Sequence, residues 1–154
     1  NAKTVVIERD AYGPGQHLPP SHPPVVPHFL RQALRGGTLI AHGDGSQTRT
    51  FTYVDDAVRA TVEAGFRSDA VGQAINIGAE EEVSIRELAE RMVRISGSSS
   101  PVIFVPQEAV YDRGYEDIPR RVPAVRRMHE LLGVRAEIPL DEGLSRTIEW
   151  FKRQ

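Results

Sequence analysis

Cysteine is absent from this chain of 154 residues, which excludes disulfides, thiolate metal sites and thiol nucleophiles at once and leaves the redox compartment unmarked. Long apolar runs are absent too. None approaches the ~20 residues that cross a bilayer, and no charged and apolar leader opens the sequence. Nor is either charge in excess: 19 Lys and Arg stand against 21 Asp and Glu, for a formal net charge of -2 and a pI near 6.2. So balanced a chain has no overall attraction for nucleic acid or an anionic membrane, and any anion it binds must be held by local groups. The expectation is a soluble, cytoplasmic protein with no nucleic-acid and no membrane partner. Asn1 and Ala2 fit a tag remnant.

What is present is ordinary globular usage, 40% hydrophobic and 26% charged. The length suits one domain able to bury roughly 70% of its unfolded surface, so residues 1–154 are expected to form a single compact unit. Strand and helix signals alternate, as in an α/β fold. Residues 4–8 (TVVIE) read as a strand that runs into a proline-rich loop, DAYGPGQHLPPSHPP. Helical spacing of Val25, Val26, Phe29, Leu30, Ala33 and Leu34 follows, stopped by Gly36 and Gly37. Residues 38–42 read as a strand, as do residues 50–54 (TFTYV) beyond a Gly43-Asp44-Gly45 turn. Asp55 then caps a helix to about Phe66, with Val58 and Val62 on its inner face. Residues 73–78 form a further strand. Ser84-Ile85-Arg86-Glu87 is a capping box, and Ile85, Leu88, Ala89, Met92 and Ile95 line one face of the helix it opens, up to Gly97. A strand at 102–105 and a second long loop at 106–119 come next. A short helix from about Ala124 to Leu132, stopped by Gly133, and a last helix from about Asp141 to Lys152 complete the chain.

Six segments in order, DAYGPG, VVPHFLRQALRGG, HGDGSQTRTFTYVDDAV, AINIGAEEEVSIRELAERM, RRVPAVRRMHELLGV and IPLDEGLSRTIEWF, resemble the C-terminal half of extended short-chain dehydrogenase/reductase proteins. Among these the chain is most similar to NAD-dependent nucleotide-sugar epimerases, dehydratases and UDP-glucuronate decarboxylases. The resemblance covers nearly the whole chain, and GDG-x-Q-x-R-x-F-x-Y-V-x-D is its most specific part. It implies the substrate-binding portion of a Rossmann-type α/β fold without the dinucleotide-binding half. It also implies that Arg49 contacts the diphosphate of a UDP- or dTDP-sugar and that His42 lies against the base, with Gln47 of the same motif in the binding set. Arg121, ahead of Pro123, is the second phosphate candidate, in preference to Arg120. His28 stands where relatives often place a polar group near the nucleotide; a helix-surface histidine is the equal alternative. Arg126, Arg127 and Arg135 read as a solvated face.

The chemistry suits those roles. Guanidinium offers a planar fork of donors to a dense anion, each charge-assisted bond contributing about 1.5 to 3 kcal/mol. A glycine turn lets backbone approach a ligand where a Cβ would intrude. Taken alone, the same turn would read as a hairpin with a surface arginine.

The departures from the family pattern are informative. Asp10, in Asp10-Ala11-Tyr12-Gly13-Pro14, replaces the usual asparagine of the first motif; a carboxylate cannot donate to phosphate and repels it when ionised. Ala124 replaces a common aspartate and removes a helix cap. The full-length enzymes use a Tyr-x-x-x-Lys pair as proton acceptor, but four residues beyond Tyr12, Tyr53, Tyr111 and Tyr115 stand Gln16, Ala57, Tyr115 and Pro119. No G-x-x-G-x-x-G turn is present to seat a dinucleotide on a helix N-terminus. The resemblance therefore implies NAD as the cofactor of the parent enzyme and none for this chain alone. The chain reads as a nucleotide-sugar-binding fragment, not catalytic by itself; a non-catalytic binding or assembly module that keeps the fold is the alternative. Strands at 4–8 and 74–77 would share a parallel layer of the parent fold, so their exposed edges point to a homodimer or to a complementing N-terminal half.

Other signals are weaker. His17 and His22 lack supporting carboxylates, and no metal site is expected. The run PPSHPPVVP suits a stiff loop over the nucleotide better than a polyproline II ligand. Glu80, Glu81 and Glu82 read as a solvated turn favouring the next helix N-terminus.

Overall fold

The structure, a computed structural model, describes residues 4–7, 10–16, 24–106 and 117–154. His17, His22, Tyr111, Tyr115 and the start of PPSHPPVVP lie outside the described residues.

Among the described residues the strands form three small sheets. β1 (Thr4–Ile7) pairs in parallel with β4 (Ala74–Ile77), from Thr4 opposite Ala74 to Ile7 opposite Ile77, in the shared layer that the family resemblance implies. β2 (Leu39–His42) pairs in parallel with β6 (Val102–Val105). In the third sheet the central strand β3 (Thr48–Thr50) lies antiparallel to β5 (Glu82–Ser84) and parallel to β7 (Arg120–Arg121). The helices are α1 (Val25–Leu34), α2 (Val54–Phe66), α3 (Ile85–Ser96) and α4 (Leu140–Lys152).

Local chemistry fixes α3 most clearly. Ser84 Oγ accepts from the Glu87 amide at 3.0 Å, and Gly97, at φ 70°, supplies the left-handed C-cap. Only half of the capping box closes, because the Glu87 carboxylate binds Arg91 at 2.5 Å instead of returning to the cap. Ile85, Leu88, Ala89 and Met92 are buried, as the periodicity requires. They pack with Phe29 and Leu30 of α1, Leu39 of β2, and Leu144 and Ile148 of α4 in the larger core. A second core joins Ala57, Ala60 and Ala64 of α2 to Ile75 and Ile77 of β4, with Met128 and Leu132 from a π-helical turn.

α2 departs from the sequence reading. Its inner face is alanine; Val58 and Val62 are 55% and 50% exposed, and Phe66 is 84% exposed. Its alanines pack against β4 and the π-turn, and the larger apolar groups are turned outward at one-turn intervals. Asp55 is not its cap: Tyr53 occupies that position without a side-chain hydrogen bond, and both Asp55 and Asp56 fall in the first turn. The strand expected at 50–54 is displaced to Thr48–Thr50, and Tyr53 keeps a single bridge to Tyr12. β7 was not foreseen. The short helix is a π-turn at Met128–Leu132, stopped by Gly133 at φ 69°. Nor is Glu80-Glu81-Glu82 a free turn: Glu82 enters β5 and binds Arg120 at 2.9 Å, Glu81 binds Arg91 at 2.7 Å, and Glu80 lies 3.6 Å from Arg135, which is on no helix.

Candidate functional site

The site is built outward from the turn that links β2 to β3. Gly43 and Gly45 both adopt φ 77°, a left-handed conformation that L side chains rarely take. Asp44 Oδ1 accepts from the Ser46 amide at 2.8 Å and its hydroxyl at 2.6 Å. Those bonds hold the Asp44 carboxyl below its usual pKa. The glycine at 45 has a packing reason of its own. A Cβ there would come within 2.4 Å of the Phe104 ring, on which Arg86 stacks at 3.9 Å while donating to Asp44 O at 2.8 Å. Beside this turn opens a cleft of about 610 Å³ whose walls include Gly43, Ser46, Gln47, Phe104, Asp117 and Pro119.

Each residue singled out in the sequence now has a place. Gln47 faces the cleft and donates to His42 O at 2.8 Å. Arg49 lies on β3 and is only 5% exposed. It reaches the cleft through Asp117, to which its Nη2 donates at 2.8 Å, while Nη1 donates to Thr48 O at 2.7 Å. The β3–β7 register sets Arg49 directly opposite Arg121, and Thr48 opposite Arg120. Side chains of paired residues share a sheet face, so Arg49 and Arg121 project together. Arg120 turns to the other face, onto Glu82, which also accepts from Thr48 at 2.5 Å. Arg121 is ion-paired with Asp10, and its buried Nε has no hydrogen-bond partner among the described residues.

The histidines form a separate pair. His28 lies on α1 with a buried Nδ1 that has no partner among the described residues. Its pKa is lowered by burial, then by Arg31 and by His42; His42, at the end of β2, is lowered by burial. Both are therefore neutral imidazoles near neutral pH, apolar enough on their faces to lie against a planar ring. Asp117, Arg86 and Phe104 were missed in the sequence. Asp117 carries no periodic or motif signal, since its meaning comes only from the cation it meets across the fold.

Neither described tyrosine has the setting of a proton acceptor. Tyr12 is buried and its hydroxyl donates to Leu140 O at 3.2 Å. Burial pushes its phenol well above the usual range, and Tyr53 adds to this. Tyr53 is raised in the same direction, first by burial. The tight turn at Gly43 and Gly45 leads into a strand, so it presents no row of helix N-terminal amides to a pyrophosphate. No helix among the described residues is long and apolar enough to cross a membrane.

A family model described as NAD dependent epimerase/dehydratase family matches residues 4–78. The chain is 42% identical over 149 residues to UDP-N-acetyl-alpha-D-glucosaminuronate decarboxylase of Bacillus cytotoxicus, a match that covers 97% of this chain and 46% of the relative. An epimerase of Methanothermobacter thermautotrophicus shares its fold with a TM-score of 0.88 and 29% identity, over 98% of this chain and 43% of that one. The UDP-glucuronic acid 4-epimerase of Bacillus cereus, solved in complex with UDP-glucuronic acid and NAD, follows at a TM-score of 0.82 and 28% identity, over 97% of this chain and 44% of that one. The chain thus spans somewhat less than half the length of these relatives. Motif order, sequence identity and fold agree, and the chain belongs to the NAD-dependent epimerase/dehydratase family, corresponding to the C-terminal half of an extended short-chain dehydrogenase/reductase.

Proposed function

We propose that this chain is the nucleotide-sugar-binding portion of an NAD-dependent epimerase, dehydratase or decarboxylase, not catalytic by itself. The observation that carries this reading is the register of β3 with β7, which aims Arg49 and Arg121 from adjacent strands on one face, next to the cleft floored by Gln47. Two guanidinium groups side by side suit the two phosphates of a UDP- or dTDP-sugar. His42 and His28 then lie toward the base and Asp10 borders the diphosphate. NAD belongs to the parent enzyme's other half, and this chain's own residues bind and orient the substrate. Calorimetric titration with UDP and with dTDP tests the site. Arg49→Ala is expected to weaken UDP binding about 10- to 100-fold, with folding monitored by circular dichroism. Unchanged affinity would remove the diphosphate from this place.

The partner of this reading is the dinucleotide-binding half, joined in the same chain or supplied by another. A parallel sheet is stable when both faces are covered, and among the described residues the β1–β4 sheet has two strands. Val58, Val62 and Phe66 add an exposed apolar stripe on α2, which packs on that sheet. Val62→Ser with Phe66→Ser is expected to change this chain's own stability by less than about 0.5 kcal/mol. The same double variant is expected to abolish co-purification with a separately expressed N-terminal half of the Bacillus cytotoxicus relative. Sedimentation of this chain alone distinguishes a homodimer, which would appear as concentration-dependent mass.

A further inference from the structure

Asp10 and Asp117 give the two candidate phosphate ligands an occupant of their own. Arg49 donates to Asp117, and Arg121 is ion-paired with Asp10, 111 positions away in sequence. The four side chains sum to zero charge, so a diphosphate reaching them meets a neutralised surface rather than two free cations. Asp10 is the better barrier of the two. Its side chain is 13% exposed against 22% for Asp117, and a less solvated carboxylate is less screened. A carboxylate also has no proton to donate, so it can only repel phosphate oxygens or compete with them for Arg121.

We infer that Asp10 is an internal counter-ion that weakens diphosphate binding at Arg121 and so sets the affinity of the site. The inference rests on the nucleotide-sugar reading above. Removing the charge while keeping the shape, in Asp10→Asn, frees Arg121 for the ligand and leaves an amide donor beside it. A gain of binding follows, which loss of folding cannot imitate. Since the barrier is electrostatic, the gain scales with ligand charge: about tenfold or more for UDP, smaller for UMP and absent for uridine.

The experiment is calorimetric titration of the parent, Asp10→Asn, Asp10→Ala and Arg49→Ala with uridine, UMP and UDP at low and high salt, with thermal melting of each variant. The expected result is tighter UDP binding by both Asp10 variants, graded from UDP to uridine and diminished by salt. Weaker UDP binding by both would make Asp10 a positioning group for Arg121 and overturn the inference. So would a gain equal for uridine and UDP, which would place its origin in shape rather than charge. UDP binding that Arg49→Ala weakens but Asp10→Asn leaves within twofold overturns this inference alone. UDP binding indifferent to both, or absent from the parent and every variant, overturns the nucleotide-sugar reading as well.

Discussion

Gly143→Ala is expected to destabilise the protein by about 3 kcal/mol, against the ordinary rule that alanine improves a helix by about 1 kcal/mol over glycine. Gly143 lies inside α4, where its backbone is regular, so conformation gives it no special role. Space does. A Cβ there would stand 2.1 Å from the Tyr12 hydroxyl and 2.9 Å from both Tyr12 Cζ and Tyr53 Cδ2. Those rings cannot retreat, because they are buried and meet edge to face with centroids 5.7 Å apart. Overpacking of such a site costs about 1 to 3 kcal/mol, and displacing Tyr12 also breaks its bond to Leu140 O, a further ~1 kcal/mol. Urea unfolding followed by circular dichroism measures the effect. Gly65→Ala is the control: it is also helical, a Cβ there would meet nothing within 4 Å, and it is expected to stabilise by about 0.5 to 1 kcal/mol. If both substitutions stabilise, the tyrosine contact is not tight.

Asp56→Ala is expected to cost about 3 to 5 kcal/mol, through hydrogen bonds rather than volume. This carboxylate is 4% exposed. One oxygen accepts from the backbone amides of Glu137 and Ile138 at 3.0 and 2.9 Å; the other accepts from Arg59 at 2.7 Å. Arg59 in turn donates to Arg135 O at 2.8 Å and pairs with Glu137 at 3.0 Å. Asp56 thus fastens the segment leading into α4 onto the start of α2. Alanine strands both amides, whereas an asparagine oxygen in the same place keeps them and loses only the bond from Arg59, so asparagine is expected to cost about half as much. Hydrogen exchange at Glu137 and Ile138 should accelerate in both variants in that order. An Asp56→Ala protein as stable as the parent would show that this segment is held by apolar contacts alone.

What could be read from the sequence was what depends on neighbours in sequence. The N-cap of α3 is satisfied three residues away and its apolar face repeats every turn, so both were legible. The strand pair β1–β4 was legible only through the family resemblance, which places both strands in one layer of the parent fold. α2 was misread for a physical reason: apolar periodicity selects the largest hydrophobic stripe, Val58 and Val62, but the face packed against β4 carries the smallest, Ala57, Ala60 and Ala64. β7 exists only because two residues pair with β3, and a two-residue strand leaves no pattern of its own. At the site, the cations were found through the motif. Their acids, Asp117 for Arg49 and Asp10 for Arg121, are matched only by long-range geometry; Asp10 stands out as a departure from the motif, but nothing near it in sequence points to Arg121.

The Tyr12 hydroxyl ends on a carbonyl at position 140, and its ring rests on position 143. Tyr12 therefore stays uncovered until a segment 128 positions later in the sequence is in place. Contacts of such long sequence separation form late and slow the closing step. The larger core should close only once α4 has docked, and a species with α4 undocked would leave two tyrosines uncovered, as a client for chaperones.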